Sequence, residues 1–268
     1  MNSKQLLDQL DNFYRSSDTT GAENLLNHAR SECERTHDQG ALLTVYNELI
    51  GLYRETGRCE QAVELTDLAL KLTADLSLNG TIEHGATLLN GATACRSAGQ
   101  LERSLAFYLQ AETIFLKNNQ EHSYYMASLY NNVSQLYQDR QEYELALEYQ
   151  KKALALIRTL SENESEIATT LINMSHTYMA LDRLYEASDV LKQAMDYYEA
   201  PACRHDPHYG AALSAMGQLA FYKGDYHTAA HWLQKALQKE SELFGENDAC
   251  RIIRTNLDYI RAKLQEDL

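Results

Sequence analysis

The chain has 268 residues, with 24 Lys and Arg against 38 Asp and Glu, a formal charge of −14. Phosphate backbones and anionic lipid both need a basic face, so this charge argues against nucleic acid and membrane surfaces as partners. Hydrophobic residues make up 44%, enough for a globular core, while only 2 Pro and 12 Gly punctuate the length, which disfavours an all-β fold and favours long helices. No run nears the roughly 20 apolar residues of a membrane span. The opening segment MNSKQLLDQLDNFYRSSD lacks the apolar stretch and cleavage site of a signal peptide. Five cysteines (Cys33, Cys59, Cys95, Cys203, Cys250) form no CxxC pair. Free thiols in a reducing cytosol are expected, which places the protein in the cytoplasm.

Small residues recur with a long period. Ala62, Ser104, Ala146, Ala187 and Ala229 stand at steps of 42, 42, 41 and 42. Ala69, Ala111, Ala153, Ala194 and Ala236 repeat those steps seven residues later, and Ala22 and Ala29 form an earlier pair. Nine residues ahead of each first small residue stand Phe13, Tyr53, Cys95, Tyr137, Tyr178 and Ala220. Five residues ahead, Gly57, Gly99 and Gly224 mark a tight turn, with Ser17, Gln141 and Asp182 in the other units. A period of this length signals a repeat array.

In chain order, the spacing predicts six helix pairs and a cap. The first unit, 3–38, is degenerate, with helices over Lys4 to Arg15 and Ala22 to Arg35. Full units follow at 43–79, 85–120, 127–162, 168–203 and 210–245. Within 127–162, Tyr130, Val133, Ser134 and Tyr137 share one helical face, Asp139 to Glu142 turn the chain, and Ala146, Tyr149 and Ala153 carry a second face. After Gly245, residues 248–265 read as a single capping helix whose wet face carries Arg251, Arg254, Arg261 and Lys263. About thirteen helices in one continuous domain, 1–268, are expected.

The unit LSAMGQLAFYKGDYHTAAHWLQKAL places a large residue, a small residue, Tyr, Gly, Ala, an aromatic and Ala at offsets that resemble the tetratricopeptide repeat. The period of 42 rather than 34, together with EIATTLINMSHTY and SELFGENDA, is similar to the kinesin light chain flavour of that repeat. The resemblance covers about residues 3 to 265. It implies an all-α, right-handed superhelical α-solenoid whose first helices line a concave groove. The usual Pro of the inter-repeat loop survives only as Pro207, and no heptad segment precedes the repeats, so a motor-subunit role is not expected.

Number each unit so that its first small residue is position 20. Positions 4, 7, 8 and 11 are then core, and positions 2, 6, 9 and 13 form a stripe beside it. Position 6 holds Asp8, Glu48, Asn90, Asn132, Asn173 and Ala215. An amide offers an acceptor and two donors, which suits it to read peptide backbone; bonding between neighbouring helices is the alternative. Position 9 adds Gly51, Thr93, Gln135, His176 and Gln218, and position 5 adds Asn47 and Asn131. Position 2 offers a cation only at Lys4, which argues against a carboxylate clamp. Arg54 and Arg96, at position 12, can meet an acidic ligand group or remain solvated. Tyr14, Tyr124, Tyr125, Tyr197, Tyr198 and Tyr222 fall outside the core columns and are candidates for a binding surface.

His227 and His231 share a helix face without the Glu of HExxH, and CRHDPHYG gathers zinc-type donors, but neither is expected to hold a metal. No GxSxG, P-loop or dinucleotide motif occurs, and no cofactor is expected. The reading is a non-catalytic interaction module, not an enzyme, that takes a neutral to basic peptide or partner-protein segment in its groove. A regulatory or sensor subunit binding a small signalling peptide or ligand, and a self-assembling scaffold with homo-oligomers, are the alternatives. Direct transcriptional regulation would need a DNA-binding domain, for which these units leave no room.

Overall fold

A computed structural model describes residues 3–16, 18–160, 164–203 and 205–266. The turn residue Ser17 lies outside the described residues. Thirteen α-helices and no strands occur among those described. They are α1 (Ser3–Arg15), α2 (Thr19–Thr36), α3 (Gln39–Glu55), α4 (Cys59–Asp75), α5 (Ile82–Ser97), α6 (Leu101–Lys117) and α7 (Tyr124–Asp139), then α8 (Tyr143–Ile157), α9 (Glu164–Ala180), α10 (Leu184–Tyr198), α11 (Tyr209–Tyr222), α12 (Tyr226–Phe244) and α13 (Asp248–Glu266). Helix starts follow their caps. Asp38 accepts from the Ala41 amide and Thr81 from the His84 amide, so α3 and α5 begin several residues before the apolar periodicity does.

The chain divides into two compact units, Met1–Leu136 and Tyr137–Leu268, the division falling within α7. In the first, α3 packs on α4, α4 on α5 and α5 on α6, while α3 also meets α5. In the second, α9 packs on α10, α11 on α12 and α12 on α13, while α9 also meets α11. Within each unit, then, the first helices of successive pairs are neighbours.

The alanine columns explain this packing. Ala22, Ala62, Ala146, Ala187 and Ala229, with Ser104, are completely buried, and so are Ala69, Ala111, Ala153, Ala194 and Ala236; Ala29 is nearly so. A methyl group lets two helix axes approach, and large side chains from the facing helix close the remaining space. Leu49 and Leu52 of α3 share the core of the first unit with these alanines, and Leu171 of α9, Leu213 of α11 and Leu257 of α13 share that of the second. Helix α13 buries Cys250, Ile253, Leu257 and Ile260 and leaves Arg251, Arg254 and Arg261 in solvent.

One surface expectation is corrected. Tyr198 is fully buried, not part of a surface. It ends α10 and stacks on Tyr209 at the start of α11, with centroids 5.6 Å apart, so helix-to-helix packing overrides its off-column position. Tyr197 is half-buried, while Tyr14, Tyr124, Tyr125 and Tyr222 are exposed.

The turns inside the pairs share one hydrogen bond. The residue four before the first small residue donates its amide to the carbonyl five positions earlier: Asp18 to Phe13, Arg58 to Tyr53, Gln100 to Cys95, Glu142 to Tyr137, Arg183 to Tyr178 and Asp225 to Ala220, at 2.7–3.0 Å. This closure requires a left-handed residue just before the donor. Gly57, Gly99 and Gly224 supply it at φ of 76°, 75° and 75°, whereas Gln141 and Asp182 are forced there at 61° and 57°. A β-carbon in that region is strained by roughly 1 kcal/mol. Gly99→Ala is therefore expected to lower unfolding free energy by about 1 kcal/mol, and Gln141→Gly to raise it by up to about 1 kcal/mol, as measured by urea denaturation midpoints.

Candidate functional site

Each compact unit holds a cavity on its first-helix face. In Met1–Leu136 the cavity has a volume of about 570 Å³. The end of α1 contributes Phe13 and Tyr14, α3 contributes Asn47, Glu48, Gly51 and Glu55, and α5 contributes Asn90. Asn47 Nδ2 donates to the Leu43 carbonyl and to Thr87 Oγ1, both at 3.1 Å. Asn90 Nδ2 donates to Asn47 Oδ1 at 3.1 Å, and Asn90 is exposed. Asn47 therefore ties α3 to α5, and Asn90 is the solvent-facing member of the pair.

The same wall is electronegative. Burial, then the charges of Asp11 and Glu55, push the Glu48 carboxyl above its ordinary range. Glu48 has no hydrogen-bond or ion-pair partner among the described residues. Burial, followed by Glu48, Glu55 and Asp11, pushes the Tyr14 hydroxyl up to about 12, so it stays neutral. Arg54 lies beside this wall, 3.4 Å from the Glu55 carboxylate, and does not line the cavity.

Further along the first unit, Arg96 donates to Gln135 Oε1 at 2.8 Å, joining α5 to α7. Asn132 Nδ2 turns back to the Ser128 carbonyl of its own helix at 2.9 Å. Asn131 is partly buried, and its carbonyl accepts from Ser134 Oγ. None of these four side chains lines the first unit's cavity.

In Tyr137–Leu268 the cavity has a volume of about 680 Å³. His176 of α9 and Ser214, Gln218 and Tyr222 of α11 line one side; Ile252, Asn256 and Tyr259 of α13 line the other. Burial depresses the His176 imidazole below its ordinary pKa, against a hydrogen bond with Gln218 that favours the charged form. Asn173 is partly buried on α9 outside this cavity, and its carbonyl accepts from Gln138 Nε2. The α13 stripe was missed in sequence. Ile252, Asn256 and Tyr259 follow i, i+4, i+7, a spacing present in the sequence beside the basic residues that mark the wet face of the cap.

The zinc-type loop has another use. Asp206 Oδ2 accepts from Ser165 Oγ at 2.7 Å and Tyr197 OH at 3.2 Å, and Oδ1 accepts from the His208 amide at 2.8 Å. Among the described residues, no three His, Cys, Asp or Glu side chains gather closely enough to hold a metal ion. No described helix is long and apolar enough to cross a membrane.

A helical repeat array with polar stripes on its first helices defines the class. Residues 125–200 and 166–239 match the tetratricopeptide repeat family, so that stretch of the chain is similar to tetratricopeptide repeats. No curated protein matches the sequence. Among solved structures, BtubC (BKLC) from P. vanneervenii is 27% identical, with 72% of this chain and 78% of that one covered and a TM-score of 0.61. A putative kinesin light chain of nearly identical TPR-like repeats from Podosopora anserina is 18% identical, with 76% and 97% covered and a TM-score of 0.62. NprR in complex with its cognate peptide NprX is 12% identical, with 94% and 71% covered and a TM-score of 0.69.

Two outcomes follow from this geometry. Asn47→Ala removes the bonds that tie α3 to α5, while the buried Thr87 hydroxyl keeps its bond to the Glu83 carbonyl, and is expected to cost about 1 kcal/mol in urea unfolding, against a few tenths or less for exposed Asn90→Ala. A histidine whose folded pKa is depressed binds its proton more readily when unfolded, so its stabilisation is present above an unfolded pKa of roughly 6.5 and is lost as pH falls. Stability is expected to decline between about pH 7 and pH 5, and His176→Gln to flatten that decline; the remaining slope belongs partly to His84, also depressed by burial.

Proposed function

We propose that the chain is a non-catalytic interaction module that binds a peptide or partner-protein segment on the first-helix faces of its repeats. The observation that carries this reading is the placement of the cavities on the polar stripe. Glu48, Gly51, Glu55 and Asn90 in one unit, and Ala211, His176, Gln218 and Tyr222 in the other, all belong to positions 2, 6, 9 and 13. Such pockets combine apolar walls with a few fixed polar groups, which is what side-chain selection requires. Bonded amides such as Asn47 hold the surface in shape before a ligand arrives, which lowers the ordering cost of binding. The charge of −14 favours a neutral to basic partner, and the five free thiols fit a reducing compartment such as the cytoplasm.

The likeness to NprR, solved with its cognate peptide, favours a second reading as a sensor subunit for a small signalling peptide. The two readings share a surface and differ in whether binding alters the array, which small-angle scattering with and without bound peptide distinguishes.

Binding to a fluorescein-labelled peptide library tests the surface. Asn90→Ala and Tyr222→Ala, both at exposed positions, are expected to weaken bound peptides by about tenfold while lowering the melting temperature by no more than a few degrees. Affinity is also expected to fall as salt rises from low to physiological levels. Unchanged affinity in both folded variants would move the interface off the first-helix faces.

A further inference from the structure

We propose that the cavity formed by α1, α3 and α5 is a subsite for the cationic side chain of a bound peptide, with Glu48 as counter-ion and Gly51 as the opening that admits it. The inference rests on the peptide-binding reading and names what one part of that surface selects.

Two independent observations meet there. Glu48 is half-buried, carries no hydrogen bond or ion pair among the described residues, and has the carboxylates of Asp11 and Glu55 as its charged neighbours. A carboxylate in that setting is destabilised until a cation arrives, and its partial burial strengthens the attraction once one does. The second observation is Gly51. It lies inside α3, where glycine weakens a helix relative to alanine. Glycines within other helices are explained by close neighbours: a β-carbon at Gly91 would stand 2.3 Å from Thr66 Cγ2, and one at Gly217 would stand 2.8 Å from Leu233 Cγ. At Gly51 a β-carbon would meet nothing within 4 Å. The missing side chain makes room in a cavity and relieves no contact.

The remaining features fix the chemical class of the occupant. Among the described residues no three His, Cys, Asp or Glu side chains gather closely enough to hold a metal ion, and Glu48 and Glu55 are the carboxylates in the cavity wall. A cavity of about 570 Å³ with the rings of Phe13 and Tyr14 in its wall suits an extended organic cation, whose stem packs on the rings. The nearby cation Arg54 is directed to Glu55 at 3.4 Å, which leaves Glu48 to the ligand.

The test uses the full chain and fluorescein-labelled peptide mixtures, fixed at one position as Arg, Lys or the neutral isostere citrulline and randomised elsewhere. Each mixture is prepared with an acetylated and with a free N-terminus, and anisotropy reports binding. The acetylated Arg and Lys mixtures are expected to bind at least about tenfold more tightly than the citrulline mixture. Glu48→Gln should erase that preference while retaining residual affinity. Gly51→Leu should fill the cavity, melt no lower than wild type, and weaken the Arg and Lys mixtures by at least about tenfold. Should Gly51→Leu melt lower, Glu48→Gln alone decides. Equal binding of the Arg and citrulline mixtures, or a preference unmoved by Glu48→Gln, overturns the subsite and leaves peptide binding standing. A preference for the free N-terminus in place of the basic side chain also overturns it, in favour of terminal amine capture. Binding of none of the mixtures overturns the peptide reading itself, and the subsite with it.

Discussion

The architecture depends on the close approach of helices at buried alanines. Positions 20 and 27 are seven residues apart and so lie on one helix face. A larger side chain at either would push the paired helices apart, and an overpacked core costs about 1–3 kcal/mol per site. Because this contact recurs at a nearly constant period, equal positions in successive first helices face the same way. Hydrogen bonds between successive first helices span close to one period. Asn90 reaches Asn47 across 43 residues, Arg96 reaches Gln135 across 39, and Gln138 reaches Thr177 across 39. The first two lie in one compact unit and the third in the other, so the same register operates in both.

That regularity also explains where space is left. In the first unit the cavity adjoins α1, the degenerate opening helix; in the second it adjoins α13, which has no partner helix of its own among the described residues. A regular unit fills the gap beside its neighbour with large core residues. Beside α1 and α13 the polar stripe opens into a pocket. The irregular helices thus both cover apolar core and shape binding surface, as the two faces of α13 illustrate. Ile253, Leu257 and Ile260 are buried, while Ile252 and Tyr259 line a cavity and remain exposed.

Much of the fold was legible because it is local and repeated. The αL turn column is an example: glycine at three positions identified the turn, and the shared amide-to-carbonyl bond carried Gln141 and Asp182 into the same conformation. Site residues were legible as a stripe, but not as partners. Asn47, Asn90, Asn131, Asn132 and Asn173 look alike in sequence, yet Asn47 bridges two helices, Asn90 faces solvent, and Asn132 bonds its own helix. Glu48 and Gly51 were visible in their columns without standing out, because neither the missing counter-ion nor the empty space at a β-carbon is a property of one residue.

From sequence alone follow the all-α repeat class, the register of the pairs, the buried small residues and the face on which polar groups lie. These depend on helical periodicity and side-chain size, which are properties of the chain read a few residues at a time. Tertiary structure alone decided which amides were consumed by helix-to-helix bonds, that Tyr198 is buried, and that two stretches of the polar face open into cavities. Each of those depends on which side chain comes from another helix to fill, or fails to fill, a particular space.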